Sequence, residues 1–356
     1  MDLITLVLFV IGFVLLTFGA DLLVRGAVNL SEEIGVSRLV VGLTIVAFGT
    51  SAPELAVNLQ SAWVGQPHLA VGNVVGSNIL NILLILGIGA LIVPLGIHKR
   101  LIKLEIPLMI GVSFLLLLLS LDGILNRWDG LLLASGIVFY TFFSIKICRQ
   151  NNDYKPEGEE NKEAINVYNT TKNLFFILAG LGLLVLGSGW LVDGAIVIAQ
   201  FFGVSELIIG LTIVSIGTSL PELATVVVAS LRGEKELVVG NLVGSNLFNI
   251  LLVLGFTSLI APTGIDVPDA ALVFDIPVMI AVALACFPIF FTGYMIERWE
   301  GGTFIAFYLA YVLYLFLNAT QHTLLPAFSA VMLWFIIPLT IITLVVLVWR
   351  DKKKSS

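Results

Sequence analysis

The chain has 356 residues, 58% of them hydrophobic and only 12% charged, with a mean hydropathy of +1.06. That balance excludes a water-soluble globular domain and describes an all-α polytopic membrane protein. The net charge of −6, two isolated cysteines (Cys148 and Cys286) and three histidines at segment ends (His68, His98 and His322) give no basis for a nucleic-acid partner, a disulfide framework, a cofactor or a metal cage.

A helix needs about 20 mostly apolar residues to cross a hydrocarbon core of roughly 30 Å; eleven segments of this chain qualify. The first, residues 3–20, lacks a basic flank and a small-residue cleavage site, so it reads as a retained signal anchor. The second, 39–62, contains GLTIVAFGTSAPELA (Gly42 to Ala56), and the third, 69–93, contains VGNVVGSNILNILLILG (Val71 to Gly87). The fourth and fifth, 104–121 and 129–148, lead to a polar stretch from Arg149 to Thr171. After the sixth, 173–192, the seventh (207–230) repeats the second as GLTIVSIGTSLPELA (Gly210 to Ala224), identical at 12 of 15 positions. The eighth (237–261) repeats the third as VGNLVGSNLFNILLVLG (Val239 to Gly255), identical at 13 of 17. The ninth and tenth, 275–292 and 301–318, precede an eleventh at 326–349 that has no counterpart in the first half.

Threading eleven helices with the N-terminus outside and the C-terminus inside places every one of the 18 basic residues except Arg127 on the cytoplasmic side, as the positive-inside bias requires. Residues 1–148 then form a first five-helix repeat, 149–172 a cytoplasmic linker, 173–318 a second repeat, and 319–356 an extra helix with a basic tail. Because five is odd, the second repeat enters the membrane inverted, which is a transporter signature. The likeness extends to Gly19 and Gly26 with Gly187 and Gly194, Glu105 and Pro107 with Asp275 and Pro277, and RWDG (Arg127 to Gly130) with RWEG (Arg298 to Gly301).

The chemistry lies in GTSAPE and GTSLPE. Pro53 and Pro221 have no N–H, so the carbonyls of Gly49 and Gly217 lose their helical donors, and the neighbouring glycines let the backbone unwind. Irregular backbone at membrane depth must be buried or line a hydrated cavity, and a cation is a natural occupant of such a cavity. Thr50, Ser51, Thr218 and Ser219 add hydroxyls, while Glu54 and Glu222 add carboxylates. An all-oxygen set suits hard cations such as Ca2+ and Na+. In the second motif Ser77 and Asn81, with Asn78 between them, share a helix face, as do Ser245 and Asn249. Gly72 with Gly76 and Gly240 with Gly244 permit close helix approach.

A charge near the bilayer centre costs roughly 2.5–3.5 kcal/mol, so a glutamate that recurs beside a proline break in both halves points to an ion site. A protonated glutamate acting as interhelical glue is the plainer alternative, and a hydroxyl bonded back to its own helix is the plainer reading of the serines and threonines. Glu105, Asp122, Asp129, Asp193 and Asp275 fall at predicted helix ends, where solvated or capping roles are expected.

The paired GTSxPEL and GNxxGSNxxNI motifs resemble the alpha repeats of the cation/Ca2+ exchanger superfamily, specifically its prokaryote-type Na+/Ca2+ exchanger branch, over residues 3–318. The resemblance implies a non-enzymatic antiporter of ten core helices around a central site, with Ca2+ and Na+ as substrates. It implies that Glu54, Glu222, Thr50 and Thr218 bind Ca2+ and share in Na+ binding. Ser51, Ser77, Ser219 and Ser245, with the carbonyls of Ala47 and Ser215, would form flanking Na+ sites, and Asn81 and Asn249 would face the centre. Some superfamily members, including K+ co-transporting relatives, carry aspartate where this chain has Asn249, so the site here holds two formal negative charges and K+ dependence is not expected. A linker of this length holds no regulatory Ca2+-sensing domain, and a monomer is the simplest assembly.

Three competing readings follow. In Ca2+/H+ exchange the glutamates would trade Ca2+ for protons, but that branch typically shows GN-x-x-E in place of GTS-x-P-E. An intramembrane hydrolase would need a base or metal motif beside the acids, and none is present. A passive channel is disfavoured by inverted halves around a midplane acid pair.

Overall fold

A computed structural model describes residues 3–63, 68–150, 167–202 and 215–355. We number its membrane helices α1 (Ile4–Ile34), α2 (Arg38–Trp63), α3 (Leu69–Ile92), α4 (Leu101–Leu119), α5 (Arg127–Ile147) and α6 (Tyr168–Phe201). They continue as α7 (described over Ser215–Gly217 and Leu220–Leu231), α8 (Lys235–Ile260), α9 (Ala271–Phe291), α10 (Arg298–Ala319) and α11 (Leu325–Trp349). The fold is the expected all-helical one, and the first part of the predicted seventh segment lies outside the described residues.

Two helices are longer than hydropathy alone indicates. The first was expected to stop at residue 20, yet α1 runs on to Ile34, because Asp21 and Arg25 form an i,i+4 ion pair at 2.8 Å within it. The first true stop is Gly35 at φ +66°, where the Val36 N–H closes back onto the Ser31 carbonyl at 2.9 Å. Likewise α6 spans Tyr168–Phe201 and carries Asp193 in its interior, where a helix end was expected. These two helices are each other's counterparts in the repeats, and they pack antiparallel. A Cβ added at Gly12 would sit 2.8 Å from the Gly187 carbonyl oxygen, and one at Gly19 would sit 2.8 Å from that of Gly180. Only glycine permits such an approach of two backbones.

Burial orders the remaining helices. The most apolar stretch of α8 is wholly buried and that of α3 largely so, whereas that of α11 has no fully buried residue, its side chains being exposed or half-buried. Gly240 lets α8 meet the α2 backbone, since a Cβ there would lie 2.6 Å from the Leu39 carbonyl oxygen. Hence α2, α3, α7 and α8 form the centre, and α11 sits at the periphery facing lipid.

Four short strands tie the repeats together: β1 (Leu95–Gly96), β2 (Ile124–Leu125), β3 (Ile265–Asp266) and β4 (Met295–Ile296). β1 pairs antiparallel with β4 and β2 with β3. The α3–α4 junction therefore shares a face with α9–α10, and the α4–α5 junction with α8–α9. Arg38 bonds Glu234 at 2.6 Å, which puts the α1–α2 and α7–α8 junctions on one face, and Arg232 at the second of these junctions pairs with Asp21 within α1. This pairing of junctions is the one that inverted threading demands. The RWDG and RWEG echo also acquires a reason: Arg127 donates to the Pro262 carbonyl (3.5 Å), just past α8, and Arg298 to that of Ile92 (3.4 Å), the last residue of α3, so each arginine holds the end of a core helix of the opposite repeat.

Of the acids expected to be solvated or capping, Asp122 accepts from the Ile124 N–H and Asp129 from the Asn126 N–H at a turn and a helix start. Asp275 accepts from the Tyr311 hydroxyl at 2.9 Å. Glu105 differs from expectation. It is fully buried and accepts from Arg100 Nε at 3.1 Å, while Arg100 also reaches the Ser144 hydroxyl at 2.6 Å. The neighbouring guanidinium makes that burial tolerable.

Candidate cation site

The site begins with two helix breaks. At Ser51 (φ −81°, ψ 2°) and Ser219 (φ −93°, ψ 10°) the backbone leaves helical geometry, in each case two residues before Pro53 or Pro221. Hydrogen bonding resumes beyond the break, with the Leu55 N–H on the Ser51 carbonyl and the Leu223 N–H on that of Ser219, both at 3.1 Å. The Ala47 carbonyl accepts from the Ser51 N–H at 3.0 Å and lies 3.5 Å from Thr50 Oγ1. Ser215 opens the described part of α7, and its side chain lies outside the described residues. Gly49 and Gly217 are where α6 presses on the breaks: a Cβ at either would meet Leu181 (2.5 Å) or Val192 (2.7 Å).

Beyond each break the first helical turn carries the acid, so Glu54 and Glu222 sit at helix N-termini, where the backbone dipole favours negative charge. Both are fully buried, and they are close enough to interact electrostatically. Contacts cross between the repeats. Ser219 Oγ donates to Glu54 Oε1 at 3.2 Å and lies 3.2 Å from Ser77 Oγ. Reciprocally, Thr50 Oγ1 lies 3.3 Å from Ser245 Oγ and donates to Asn241 Oδ1 at 3.2 Å, and Glu222 is beside Thr50. Thr218 Oγ1 donates to Asn73 Oδ1 at 3.3 Å.

One group of buried atoms has no protein partner among the described residues: Glu54 Oε2, both oxygens of Glu222, Ser51 Oγ, Asn81 Oδ1 and Asn249 Oδ1. The Asn73 and Asn241 amide nitrogens, whose oxygens accept from Thr218 and Thr50, are also unpartnered among the described residues. The six atoms named first are acceptors or hydroxyls, and neither glutamate is ion-paired to a described residue. A buried carboxylate without a partner is costly, and a hard cation, which takes six to eight oxygens when it is Ca2+, would satisfy these atoms together. Among the described residues no three His, Cys, Asp or Glu side chains cluster, so the neutral oxygens must complete any coordination.

Every expected side chain from the two motifs that the structure describes is buried or half-buried at this junction. Asn73 and Asn241 were not anticipated, although both stand in the doubled GN of the second motif, which was the available signal. Asn246 was likewise overlooked, and Asn78 was noted only for its position in the turn.

The sodium/calcium exchanger protein family profile matches residues 4–146 and 172–317. The chain belongs to that family. Among its relatives, the sodium/calcium exchanger MaX1 of Methanosarcina acetivorans is 30% identical over 86% of this chain and 97% of its own. The inner membrane protein YrbG of Escherichia coli K12 is 39% identical over 73% of this chain and 81% of its own. The solved structure of the sodium-calcium exchanger NCX_Mj, soaked with 2.5 mM Na+ and 1 mM Sr2+, superposes with a TM-score of 0.76 at 30% identity, covering 88% of this chain and 99% of that one. This chain is thus a multi-pass membrane antiporter of the exchanger family, not an enzyme.

Proposed function

We propose that the protein exchanges Na+ for Ca2+ across the plasma membrane by alternating access, with its N-terminus outside and its C-terminus inside, extruding Ca2+ electrogenically. The observation that carries the reading is the pair of buried carboxylates, one from each inverted repeat, with three of their four oxygens unpartnered among the described residues. Glu54, Glu222, Thr50 and Thr218 hold Ca2+ in turn with Na+. Ser51, Ser77, Ser219 and Ser245, with the Ala47 and Ser215 carbonyls, supply flanking Na+ sites, and Asn81 and Asn249 line the centre.

Charge sets the energetics. Two carboxylates balance one Ca2+, while three Na+ over the same pair leave one excess positive charge. A 3:1 cycle therefore moves one net charge, worth about 2.3 kcal/mol per 100 mV. Since both ions need the same glutamates, their occupancies exclude one another. The glycine-lined contact of α1 with α6 supports the rocking of this pair against the core.

The test uses vesicles loaded with Na+ and diluted into Na+-free buffer containing labelled Ca2+, compared with vesicles given only a pH gradient. Uptake driven by the Na+ gradient and stimulated by an inside-positive potential is expected, because each turnover carries one net positive charge out of the vesicle. Uptake driven by the pH gradient alone would replace this function with Ca2+/H+ exchange.

A further inference from the structure

An asparagine at a cation site can present a coordinating oxygen or a repelling NH2, and the two ends are nearly the same size. Something must choose. Asn81 and Asn249 are fully buried one helical turn from Ser77 and Ser245, the serines that meet Ser219 and Thr50 across the repeats. Each spends its NH2 on the opposite repeat: Asn81 Nδ2 donates to Asn246 Oδ1 at 3.1 Å, and Asn249 Nδ2 donates to Asn78 Oδ1 at 3.0 Å. That leaves the oxygen of each unpartnered among the described residues.

The orientations of Asn78 and Asn246 are fixed in turn by groups that can only accept. Asn78 Nδ2 donates to the Asn246 backbone carbonyl at 3.2 Å and lies 3.6 Å from Met279 Sδ. Asn246 Nδ2 lies 3.6 Å from Met109 Sδ. Two relays result, from Met279 through Asn78 to Asn249 and from Met109 through Asn246 to Asn81. They are two-fold counterparts, and in each the acceptor at the far end forces an oxygen toward the near end.

We infer that Asn78 and Asn246 are positioning residues that hold the amide oxygens of Asn249 and Asn81 toward the transported cation. The inference rests on the reading of the pocket as the Ca2+ site. A carboxylate has no wrong end, so aspartate at position 249 needs no orienting donor or acceptor behind it.

The experiment measures equilibrium binding of labelled Ca2+ to purified protein, and the Ca2+ concentration for half-maximal exchange, in Asn78→Ala and Asn78→Leu, each with Asn or Asp at position 249. Loss of a group that orients a metal ligand costs about 10- to 100-fold in affinity, and that loss is expected with asparagine at 249. With Asn249→Asp the same change at Asn78 should cost less than about threefold, because the Asn78 oxygen would otherwise oppose a carboxylate oxygen. An equal loss in both backgrounds, no loss in either, or failure of both Asn78 variants to assemble whichever residue occupies 249 overturns the inference and leaves Asn78 a structural residue. Glu222→Gln separates the two readings. Wild-type uptake in that variant removes the Ca2+ site itself, whereas its loss together with a harmless Asn78→Ala removes the positioning role alone.

Discussion

Replacing Glu222 by glutamine tests the site at its least compensated atom. Both oxygens of Glu222 are buried without a protein partner among the described residues, whereas Glu54 already accepts from Ser219 at 3.2 Å. Glutamine keeps the shape and removes one of two charges facing the cation. Removing one partner of a buried charge pair costs about 3–5 kcal/mol, which at about 1.4 kcal/mol per tenfold raises the Ca2+ dissociation constant roughly 150- to 4,000-fold. Ligand-linked stabilisation gives a direct assay. At Ca2+ equal to about 100 times the wild-type constant, binding adds about 2.7 kcal/mol to the folded state, and for the variant this falls to about 0.3 kcal/mol or less. Thermal unfolding of detergent-solubilised protein with and without Ca2+ should therefore show a clear shift in wild type and almost none in Glu222→Gln. A variant that keeps the full Ca2+-dependent shift would refute the assignment of Glu222 as a ligand, whatever its transport rate.

Ser219→Ala removes the hydroxyl that joins Glu54 to Ser77; a bond to a charged group is worth about 1.5–3 kcal/mol, so half-maximal Na+ activation should rise by about tenfold or more, read from Na+-dependent Ca2+ uptake. Arg100→Gln strands the fully buried Glu105 without its cation and should lower stability by about 3–5 kcal/mol, while the double change Arg100→Leu with Glu105→Leu should cost far less; unfolding midpoints of the three proteins decide it. Gly19→Val places a side chain 2.8 Å from the Gly180 carbonyl oxygen, and the resulting overpacking of α1 against α6 should cost about 1–3 kcal/mol, visible as a lower unfolding midpoint and slowed exchange.

Hydropathy and the doubled motifs made the helix count, the inverted arrangement and the central acids legible. What they missed follows from how ion pairs relocate charge. Asp21 reads as a helix end because it interrupts an apolar run, yet Arg25 one turn on and Arg232 just after α7 both pair with it within a continuing helix. Glu105 reads as solvated because it follows Arg100 and Lys103 at a predicted boundary; the Arg100 side chain folds back onto it and both are buried. The asparagine relays were invisible for another reason. Their bonds join residues about 165 to 171 positions apart, and a linear motif records that Asn78 and Asn246 recur without recording that each serves the opposite repeat.

The departures from two-fold symmetry are as informative as the symmetry. In the proposed cycle one central site is reached in turn from both membrane faces, so the groups proposed to hold the ions come in matched pairs: Glu54 with Glu222, Ser77 with Ser245, Asn81 with Asn249, and the two relays behind the last pair. The strand pairs obey the same rule, one at each face. Charges at the junctions do not. The face bearing the α1–α2 and α7–α8 junctions is tied by Arg38 with Glu32 and Glu234 and by Asp21 with Arg25 and Arg232, whereas the positions related to Asp21 and Arg232 by the repeat are Gly189 and Val64. Such exposed pairs are individually worth about 1 kcal/mol or less, too little to stabilise the fold appreciably but enough to unbalance two states that perfect inversion would make equal in energy. The residues proposed to bind the ions are therefore matched across the repeats, as a site serving both sides requires, whereas the ion pairs at the α1–α2 and α7–α8 face have no such match at Gly189 and Val64.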